Sequence, residues 1–262
     1  MYPYIHIINR DIASYGILAL IGILAAGFYI VKNLEKKGYK EVNILMCLFS
    51  VALGSFIGAH ILFFITNFKN FISFIKNITL INSIKKLFIA LSTLFGGWVF
   101  YGGLIGGIIA ILIYCKIHKI KPNDYLNVCA PGVALFHFFG RIGCFLAGCC
   151  YGVESHIGFT FHHSAIQSAN GISRFPIQLV ESSYCLLLFL ILNHILKKTR
   201  FKDLTASCYL ILYPLGRFVF EFFRGDTYRG FLWIFSTSQW ISIVLLIIGI
   251  INIIKYTKKE NK

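Results

Sequence analysis

Seven apolar segments, each close to 20 residues long, recur along almost the whole chain. They are residues 15–33, 43–66, 97–115, 128–149, 176–196, 204–223 and 238–256. A helix of that length crosses about 30 Å of hydrocarbon. The apolar runs are continuous and do not alternate with polar residues, which argues against a membrane β-barrel. The sequence therefore predicts an all-α, polytopic membrane protein whose residues 1–262 form a single transmembrane domain of about seven transmembrane helices.

The distribution of basic residues predicts the orientation of these helices. The chain carries 25 Lys and Arg against 10 Asp and Glu, and most of the basic residues fall in short loops. Fifteen lie in loops on one side and eight on the other. Because short cytoplasmic loops are enriched in Lys and Arg, we expect the N-terminus outside and the C-terminus in the cytoplasm. The same pattern reflects attraction to anionic lipid headgroups, so no nucleic-acid partner is expected.

Two segments between the spans are expected on the external side. Residues 67–96 combine apolar residues with spaced lysines, which is typical of an amphipathic arm lying in the membrane interface. An ordinary solvated connector is the alternative. Residues 151–175 are expected to form a short external head loop. The first eleven residues lack the basic start and short apolar core of a cleavable signal peptide, so we expect the first span to be retained.

The most unusual stretch is residues 137–152, which lies in the fourth span. It places His137, Arg141 and three cysteines in a segment apolar enough for a membrane. An arginine at membrane depth costs about 2.5–3.5 kcal/mol on insertion scales, and a bound anion, a carboxylate or a water-filled cavity usually offsets that cost. His137 and Arg141 are four residues apart, so they share a helix face. A structural arginine that ties two helices together is the alternative.

A second buried arginine is predicted in the sixth span. Arg217, Glu221 and Arg224 fall on one stripe at helical spacing, so Glu221 is expected to neutralise Arg217 in part. Two arginines in different spans with a single nearby glutamate leave a surplus of positive charge. Guanidinium groups bind phosphate oxygens bidentately, and the abundant phosphate in a membrane is the phospholipid headgroup. The residues therefore predict an anion-binding cavity for a phospholipid, with a purely structural ion pair as the alternative.

Glycines four residues apart line one face of the third span. Gly102 with Gly106, and Gly103 with Gly107, permit close approach of another backbone. Tyr101 lies at the outer end of this face, where its hydroxyl is placed to meet a ligand. A tyrosine of the interfacial aromatic belt fits the same pattern almost equally well.

Three of the eight cysteines, Cys144, Cys149 and Cys150, are clustered, and the other five lie singly in apolar runs. The spacing Cys-x4-Cys-Cys differs from the Cys-x2-Cys of structural zinc sites, so neither a metal nor a cofactor is expected. In an oxidising compartment two of the three clustered cysteines can form a disulfide, which leaves one thiol free. Burial as small apolar residues is the alternative to any special thiol role.

Several ordered motifs resemble those of the prolipoprotein diacylglyceryl transferase family. The family signature runs Gly-Arg-x-Gly-Asn-Phe-x-Asn-x-Glu-x-x-Gly, and the matching positions here are Gly140, Arg141, Gly143, Phe145 and Gly152. The other similar motifs are Ser14-Tyr15-Gly16, Tyr101-Gly102-Gly103-Leu104-Ile105-Gly106, Arg174-Phe175-Pro176-Ile177-Gln178-Leu179-Val180-Glu181 and the run from Arg217 to Arg224. Seven spans with an external N-terminus is also that family's layout.

The resemblance implies transfer of the diacylglyceryl group of phosphatidylglycerol to the cysteine thiol of prolipoprotein signal peptides, by a monomer in a bacterial plasma membrane. It implies that Arg141 and Arg217 hold the phosphate and stabilise the charge of the leaving group, with Glu221 orienting Arg217. The resemblance also implies a catalytic role for Tyr101, the first residue of the motif in the third span. The further residues expected to contact substrate are Tyr15, His60, Gly102, Gly103, His137, Gln178 and Arg224.

The chain also departs from the family pattern. Tyr101 replaces a histidine that is a candidate base for the thiol, and a tyrosine with an ordinary pKa near 10 is a poor base at neutral pH. The other departures are Cys144 and Ala147 for asparagines, Cys149 for glutamate, Phe175 for histidine, and Phe56 for an arginine, with His60 one turn later. Two alternatives therefore stay open. One is a divergent paralogue with the same phospholipid pocket but another acceptor or chemistry, and the other is a non-catalytic lipid-binding membrane protein.

Overall fold

The computed structural model describes residues 2–7, 10–76, 83–84, 97, 99–198, 200–226 and 231–260. These residues are mostly helical, as predicted. The described α-helices are α1 (Ser14–Glu35), α2 (Glu41–Thr66), α3 (Phe68–Lys76), α4 (Phe100–Ile117), α5 (Pro122–Ala147), α6 (Ile177–Lys198), α7 (Thr205–Phe220) and α8 (Thr237–Glu260). By Cα proximity they belong to two compact units, Glu35–Pro122 and the remainder, Met1–Leu34 with Asn123–Lys262.

The predicted spans correspond to observed helices. Six helical segments of the described chain are long and apolar enough to cross a membrane, and a shorter apolar helix covers Tyr101–Ile117. The sixth span is α7 extended at both ends by the short 3-10 turns Lys202–Leu204 and Glu221–Phe223. The largest difference is at α5, which begins at Pro122, six residues before the predicted span. A proline suits the first helical position, because the N–H that it lacks would have no partner there.

Three small antiparallel sheets accompany the helices in the part of the chain that the structure describes. They pair β1 (Tyr4–Ile7) with β2 (Arg10–Ala13), β3 (Glu154–Thr160) with β4 (Ser173–Arg174), and β5 (Phe231–Leu232) with β6 (Phe235–Ser236). All are two-stranded and lie outside the long helices, so the all-α class holds for the membrane-spanning part. The predicted head loop, residues 151–175, contains β3, β4 and a 3-10 turn at Gln167–Ala169.

Arg174 organises this head segment. Its guanidinium donates hydrogen bonds to the carbonyl oxygens of Ala169, Gly152 and Ser168, the last at 2.6 Å, and lies 4.2 Å from the centroid of the Tyr151 ring. The residue is only 6% exposed. Because the positive charge is surrounded by carbonyl oxygens and an aromatic face, Arg174 has a structural role in this segment.

Within the Glu35–Pro122 unit, α2 and α4 pack backbone against backbone. A Cβ atom on Gly102 would overlap the carbonyl oxygen of Gly58, and one on Gly106 would overlap that of Gly54. The glycine face predicted for the third span is therefore a helix-packing surface. Helix α3 occupies the start of the predicted interfacial arm, residues 67–96, and most of the arm beyond Lys76 lies outside the described residues.

Replacing Gly106 by alanine should weaken the α2–α4 contact. The added methyl group would have to displace a backbone carbonyl, and such overpacking costs about 1–3 kcal/mol. We expect Gly106→Ala to lower the midpoint of thermal unfolding in detergent. The control is Gly27→Ala in α1, where a Cβ meets no described atom within 4 Å and the midpoint should not fall. Equal midpoints for the two variants would contradict the close packing.

Candidate functional site

A buried carboxylate joins two arginines from different helices. Arg141 of α5 places its Nε 2.6 Å from Oε2 of Glu181 in α6, and Arg217 of α7 places its Nη1 3.3 Å from Oε1 of the same carboxylate. Nη2 of Arg217 also lies 2.7 Å from Oε2 of Glu221. The four side chains are between 2% and 19% exposed. Three helices are thus joined through one ion network.

The network corrects the predicted charge balance. The sequence-based expectation of a single glutamate beside two arginines, with surplus positive charge, is wrong for this cluster. Glu181 and Glu221 together cancel the formal charges of Arg141 and Arg217. The sequence does not reveal the partners of Glu181, because its contacts run between helices and no spacing along the chain predicts them. The pairing of Arg217 with Glu221, predicted from their four-residue spacing, is confirmed.

A cavity opens beside these charges. Its volume, including the open space at its mouth, is about 210 Å³. The lining residues are Arg141, Glu181, Tyr184, Cys185, Tyr213, Arg217 and Phe220. Ser238 of α8 accepts a hydrogen bond from Nη2 of Arg217 at 3.3 Å, so α8 also helps to position that guanidinium. The cavity therefore places two guanidinium groups and one carboxylate beside aromatic side chains.

His137 lies one helical turn before Arg141 on α5. Its ring centroid is 4.9 Å from that of Tyr213, which lines the cavity. The Nδ1 atom is buried and has no hydrogen-bond partner among the described residues. His137 contacts Tyr213, and both Tyr213 and Arg141 line the cavity, so His137 and Arg141 share a helix face as predicted.

Arg224 does not lie on the predicted stripe. Helix α7 ends at Phe220, Glu221–Phe223 form a 3-10 turn, and Arg224 itself is extended, with φ −88° and ψ 136°. Its guanidinium binds the carboxylate of Asp226 through two contacts, Nε to Oδ1 at 3.0 Å and Nη2 to Oδ2 at 2.7 Å. The helical spacing that predicted the stripe does not apply after the helix ends, so this part of the prediction is wrong.

The three clustered cysteines meet at the end of α5. Their sulfur atoms all lie within 4.8 Å of one another. Cys144 is in the last turn of the helix, whereas Cys149 and Cys150 follow it in a turn with two left-handed residues, Gly148 (φ 72°) and Cys150 (φ 53°). These left-handed conformations turn the chain so that the sulfurs of Cys149 and Cys150 lie close to that of Cys144. All three are free thiols.

The turn is held from α6 by Gln178. Its Nε2 donates to the carbonyl oxygen of Cys149 at 2.9 Å, while its Oε1 is buried with no hydrogen-bond partner among the described residues. The thiol of Cys149 donates to the carbonyl oxygen of Cys144 at 3.7 Å. The neighbouring Cys144 and Cys149 thiols lower the pKa of the Cys150 thiol, and the charges of Arg224 and Arg141 act in the same direction against the effect of burial.

Tyr15 of α1 packs beside the same stretch. A Cβ on Gly143 would lie 3.2 Å from Cδ2 of Tyr15 and 3.3 Å from Cβ of Leu18, so the glycine permits the contact between α1 and α5. Tyr15 is 45% exposed, which leaves much of its ring open to a lipid or ligand.

The other predicted site residues belong to the Glu35–Pro122 unit. Tyr101 is in the first turn of α4, and Gly102 and Gly103 face α2, where Ser55 is a neighbour of Gly103. The ring of His60 lies 4.5 Å from that of Phe56. Substrate contact by these four residues stays a prediction.

Removing the shared carboxylate should be far more damaging than removing an exposed one. Glu181→Ala leaves two buried guanidinium groups without their common partner, and breaking a buried ion pair costs about 3–5 kcal/mol. We expect a clearly lower midpoint of thermal unfolding in detergent. Glu154→Ala, at an exposed position in β3, is the control and should leave the midpoint unchanged. An unchanged midpoint for Glu181→Ala would show that the network is not structurally important.

Comparisons with known proteins give a consistent result. A family model described as prolipoprotein diacylglyceryl transferase matches residues 3–255. The chain is 36% identical over 252 residues to the phosphatidylglycerol–prolipoprotein diacylglyceryl transferase of Clostridium tetani, covering 95% of both chains. It is 35% identical over 247 residues to the second such enzyme of Clostridium perfringens, covering 94% of this chain and 91% of that one. The corresponding enzyme of Streptococcus agalactiae is 31% identical over 254 residues, with 95% and 93% covered.

Proposed function

The chain belongs to the prolipoprotein diacylglyceryl transferase family, and we propose that it transfers the diacylglyceryl group of phosphatidylglycerol to the cysteine thiol of a prolipoprotein signal peptide. The names of its relatives supply the donor lipid and the kind of acceptor. Its apolar helices and its family make it a multi-pass protein of the bacterial plasma membrane.

One observation supports this function most strongly. Arg141 and Arg217 come from different helices and meet at one cavity through a shared carboxylate. In the proposed reaction the acceptor sulfur attacks the glyceryl carbon next to the phosphate, a sulfur–carbon bond forms and the carbon–oxygen bond breaks. The electron pair leaves with glycerol phosphate. Guanidinium groups placed at that phosphate stabilise the negative charge that develops as the bond breaks.

The neutral ion network suits this task. A phosphodiester carries one negative charge, whereas the departing phosphate monoester acquires additional charge during the reaction. Positive groups held by Glu181 and Glu221 need not reorganise as that charge appears, because their carboxylate partners already position them. Interactions that strengthen toward the transition state raise the rate, whereas equal binding of the ground state does not.

Arg141→Ala and Arg217→Ala should each remove most of the transfer activity. Loss of one charge-stabilising group in a preorganised site typically costs about 10²- to 10³-fold in rate. The assay uses the purified full chain, labelled phosphatidylglycerol and a peptide containing the signal-peptide cysteine, and it measures the thioether product. Arg141→Lys and Arg217→Lys should recover only part of the activity, because lysine lacks the bidentate fork.

The control for these variants is Arg200→Ala, which changes an exposed arginine between α6 and α7. It should retain full activity. Wild-type activity in both cavity variants would refute the proposed roles of the arginines. Stoichiometric phospholipid binding by the wild-type chain without any thioether product would instead favour the non-catalytic lipid-binding alternative.

The orientation proposed from the loop charges is testable with reporter fusions. Because the more basic loops are expected in the cytoplasm, a green fluorescent protein fused after Lys262 should be fluorescent, whereas alkaline phosphatase inserted within residues 151–175 should be active. Alkaline phosphatase fused after Lys198, in a loop assigned to the cytoplasm, is the control and should be inactive. The reverse pattern of reporter activities would overturn the orientation.

A further inference from the structure

We propose that Cys144, Cys149 and Cys150 together bind one zinc ion and leave its fourth coordination position open to the acceptor thiol. The role of that open position rests on the proposed transferase function, whereas binding of the metal does not. The spacing of the cysteines along the chain offered no reason to expect a metal, so the inference depends on their positions in three dimensions.

The three sulfur atoms have the separation that a single ion requires. Zinc binds thiolate sulfur at about 2.3 Å, which places three sulfurs around one ion about 4 Å apart. Here all three sulfurs lie within 4.8 Å of one another. A sulfur shift of well under 1 Å would therefore complete the triangle, and thiol side chains can make such a shift by a small rotation.

The backbone around the cysteines is built to make them converge. Cys150 has a left-handed φ of 53°, which is uncommon for a residue other than glycine. Gln178 holds the carbonyl oxygen of Cys149 at 2.9 Å from the neighbouring helix. Residues held in such backbone conformations are concentrated at functional sites, where the surrounding structure enforces them. Gly148 ends α5 in the left-handed region, with the N–H of Cys149 donating to the carbonyl oxygen of Cys144 at 3.1 Å, and this helix end brings the two following cysteines back towards Cys144.

The surroundings also tolerate the charge of a thiolate site. Three thiolates and Zn²⁺ carry a net charge of −1. Arg141 lies three residues before Cys144 on α5 and interacts electrostatically with both Cys144 and Cys150. A positive group in a partly buried region offsets the net negative charge that the metal site would introduce.

The ligand set predicts an open site. Among the described residues, no fourth His, Cys, Asp or Glu joins the three cysteines in one ligand group. Structural zinc sites are closed by four protein ligands, whereas catalytic ones have three and bind water or substrate in the fourth position. The three cysteines therefore match the catalytic arrangement, and soft thiolate ligands favour zinc over magnesium or calcium.

Such an ion would supply the deprotonation that the acceptor thiol needs before its sulfur can attack. A thiol that coordinates a metal is deprotonated, so the acceptor cysteine would bind zinc as thiolate and release its proton to solvent. That sulfur then forms the bond to the glyceryl carbon, the carbon–oxygen bond to phosphate breaks, and glycerol phosphate leaves with the electron pair. The thioether product is a weaker ligand and dissociates.

Metal binding can be measured independently of catalysis. The full chain is purified in detergent under reducing conditions, depleted with a chelator, and titrated with zinc alone in competition with a chromophoric chelator. We expect one tightly bound zinc per chain. Cobalt in place of zinc should give a sulfur-to-metal charge-transfer band. The triple variant Cys144→Ser/Cys149→Ser/Cys150→Ser should lose affinity by more than the roughly 10- to 100-fold that outer-shell changes cost.

The matched control is Cys208→Ser, which removes a half-buried thiol in α7. It should bind zinc like the wild type. The single variant Cys149→Ser, which preserves two of the thiols, serves if the triple variant does not fold. The proposal would be overturned if the wild type bound less than one equivalent of zinc, or if the wild type and the cysteine variants had equal zinc affinity. It would also be overturned if protein purified without a reductant contained a disulfide among the three cysteines and that disulfide prevented zinc binding.

Activity assays separate this inference from the proposed function. Chelator-treated chain should lose thioether formation and regain it with zinc, whereas Arg217→Ala, whose guanidinium contacts Glu181, Glu221 and Ser238, should bind zinc normally while losing transfer. Transfer that persists fully in zinc-free protein would reject the acceptor role of the metal and leave the transferase function intact, and the zinc titration alone would then decide whether the metal binds. Tight zinc binding by a chain that forms no thioether product with any supplied peptide would reject the transferase function and the acceptor role of the metal, but not metal binding itself.

Discussion

Glu181 receives Arg141 from α5 on one carboxylate oxygen and Arg217 from α7 on the other. Charged groups left unpaired at membrane depth are costly, so this contact constrains the relative positions of α5, α6 and α7. The position of the cavity depends on this contact, because several residues that line the cavity lie one helical turn from the charged residues of the ion network. Tyr184 and Cys185 follow Glu181 by three and four residues, and Tyr213 precedes Arg217 by four. Side chains at that spacing share a helix face, so pairing the charges also gathers the aromatic residues.

The same constraint shapes the chemistry. An arginine pair without carboxylates would bind any anion, but it would also be expensive to bury and free to reorient. With Glu181 and Glu221 in place the network is neutral, and the guanidinium of Arg217 is held by two carboxylates and Ser238. Its selectivity then comes from position: a ligand gains most when negative charge develops beside guanidinium groups that are already oriented. A phosphodiester whose bond is breaking is such a ligand.

Sequence reasoning succeeded where the physics is local. Hydropathy predicted the long helices, because a hydrocarbon layer demands about 20 apolar residues, and the i,i+4 spacing predicted the Arg217–Glu221 pair. It failed where the determining contact is not local. Glu181 could be recognised as a partner only after three helices were assembled. Arg224 was misplaced because α7 ends at Phe220, and the bidentate contact with Asp226 lies beyond that end. The convergence of the cysteines depends on left-handed backbone at Gly148 and Cys150, which helical spacing does not describe.

The signature stretch, residues 140–152, therefore has two physically different parts. Two of its glycines lie where the packing leaves little room for a side chain. Gly143 lies against the ring of Tyr15, and a side chain at Gly152 would overlap the carbonyl oxygen of Phe175. Gly143 therefore permits the contact between α1 and α5, and Gly152 permits close approach of the backbone at Phe175. Between them, two polar residues of the family pattern are cysteines here, and Cys150 joins them at one point. A zinc ion held by the three thiols would deprotonate an acceptor cysteine that binds at its fourth position, so that step would need no side-chain base.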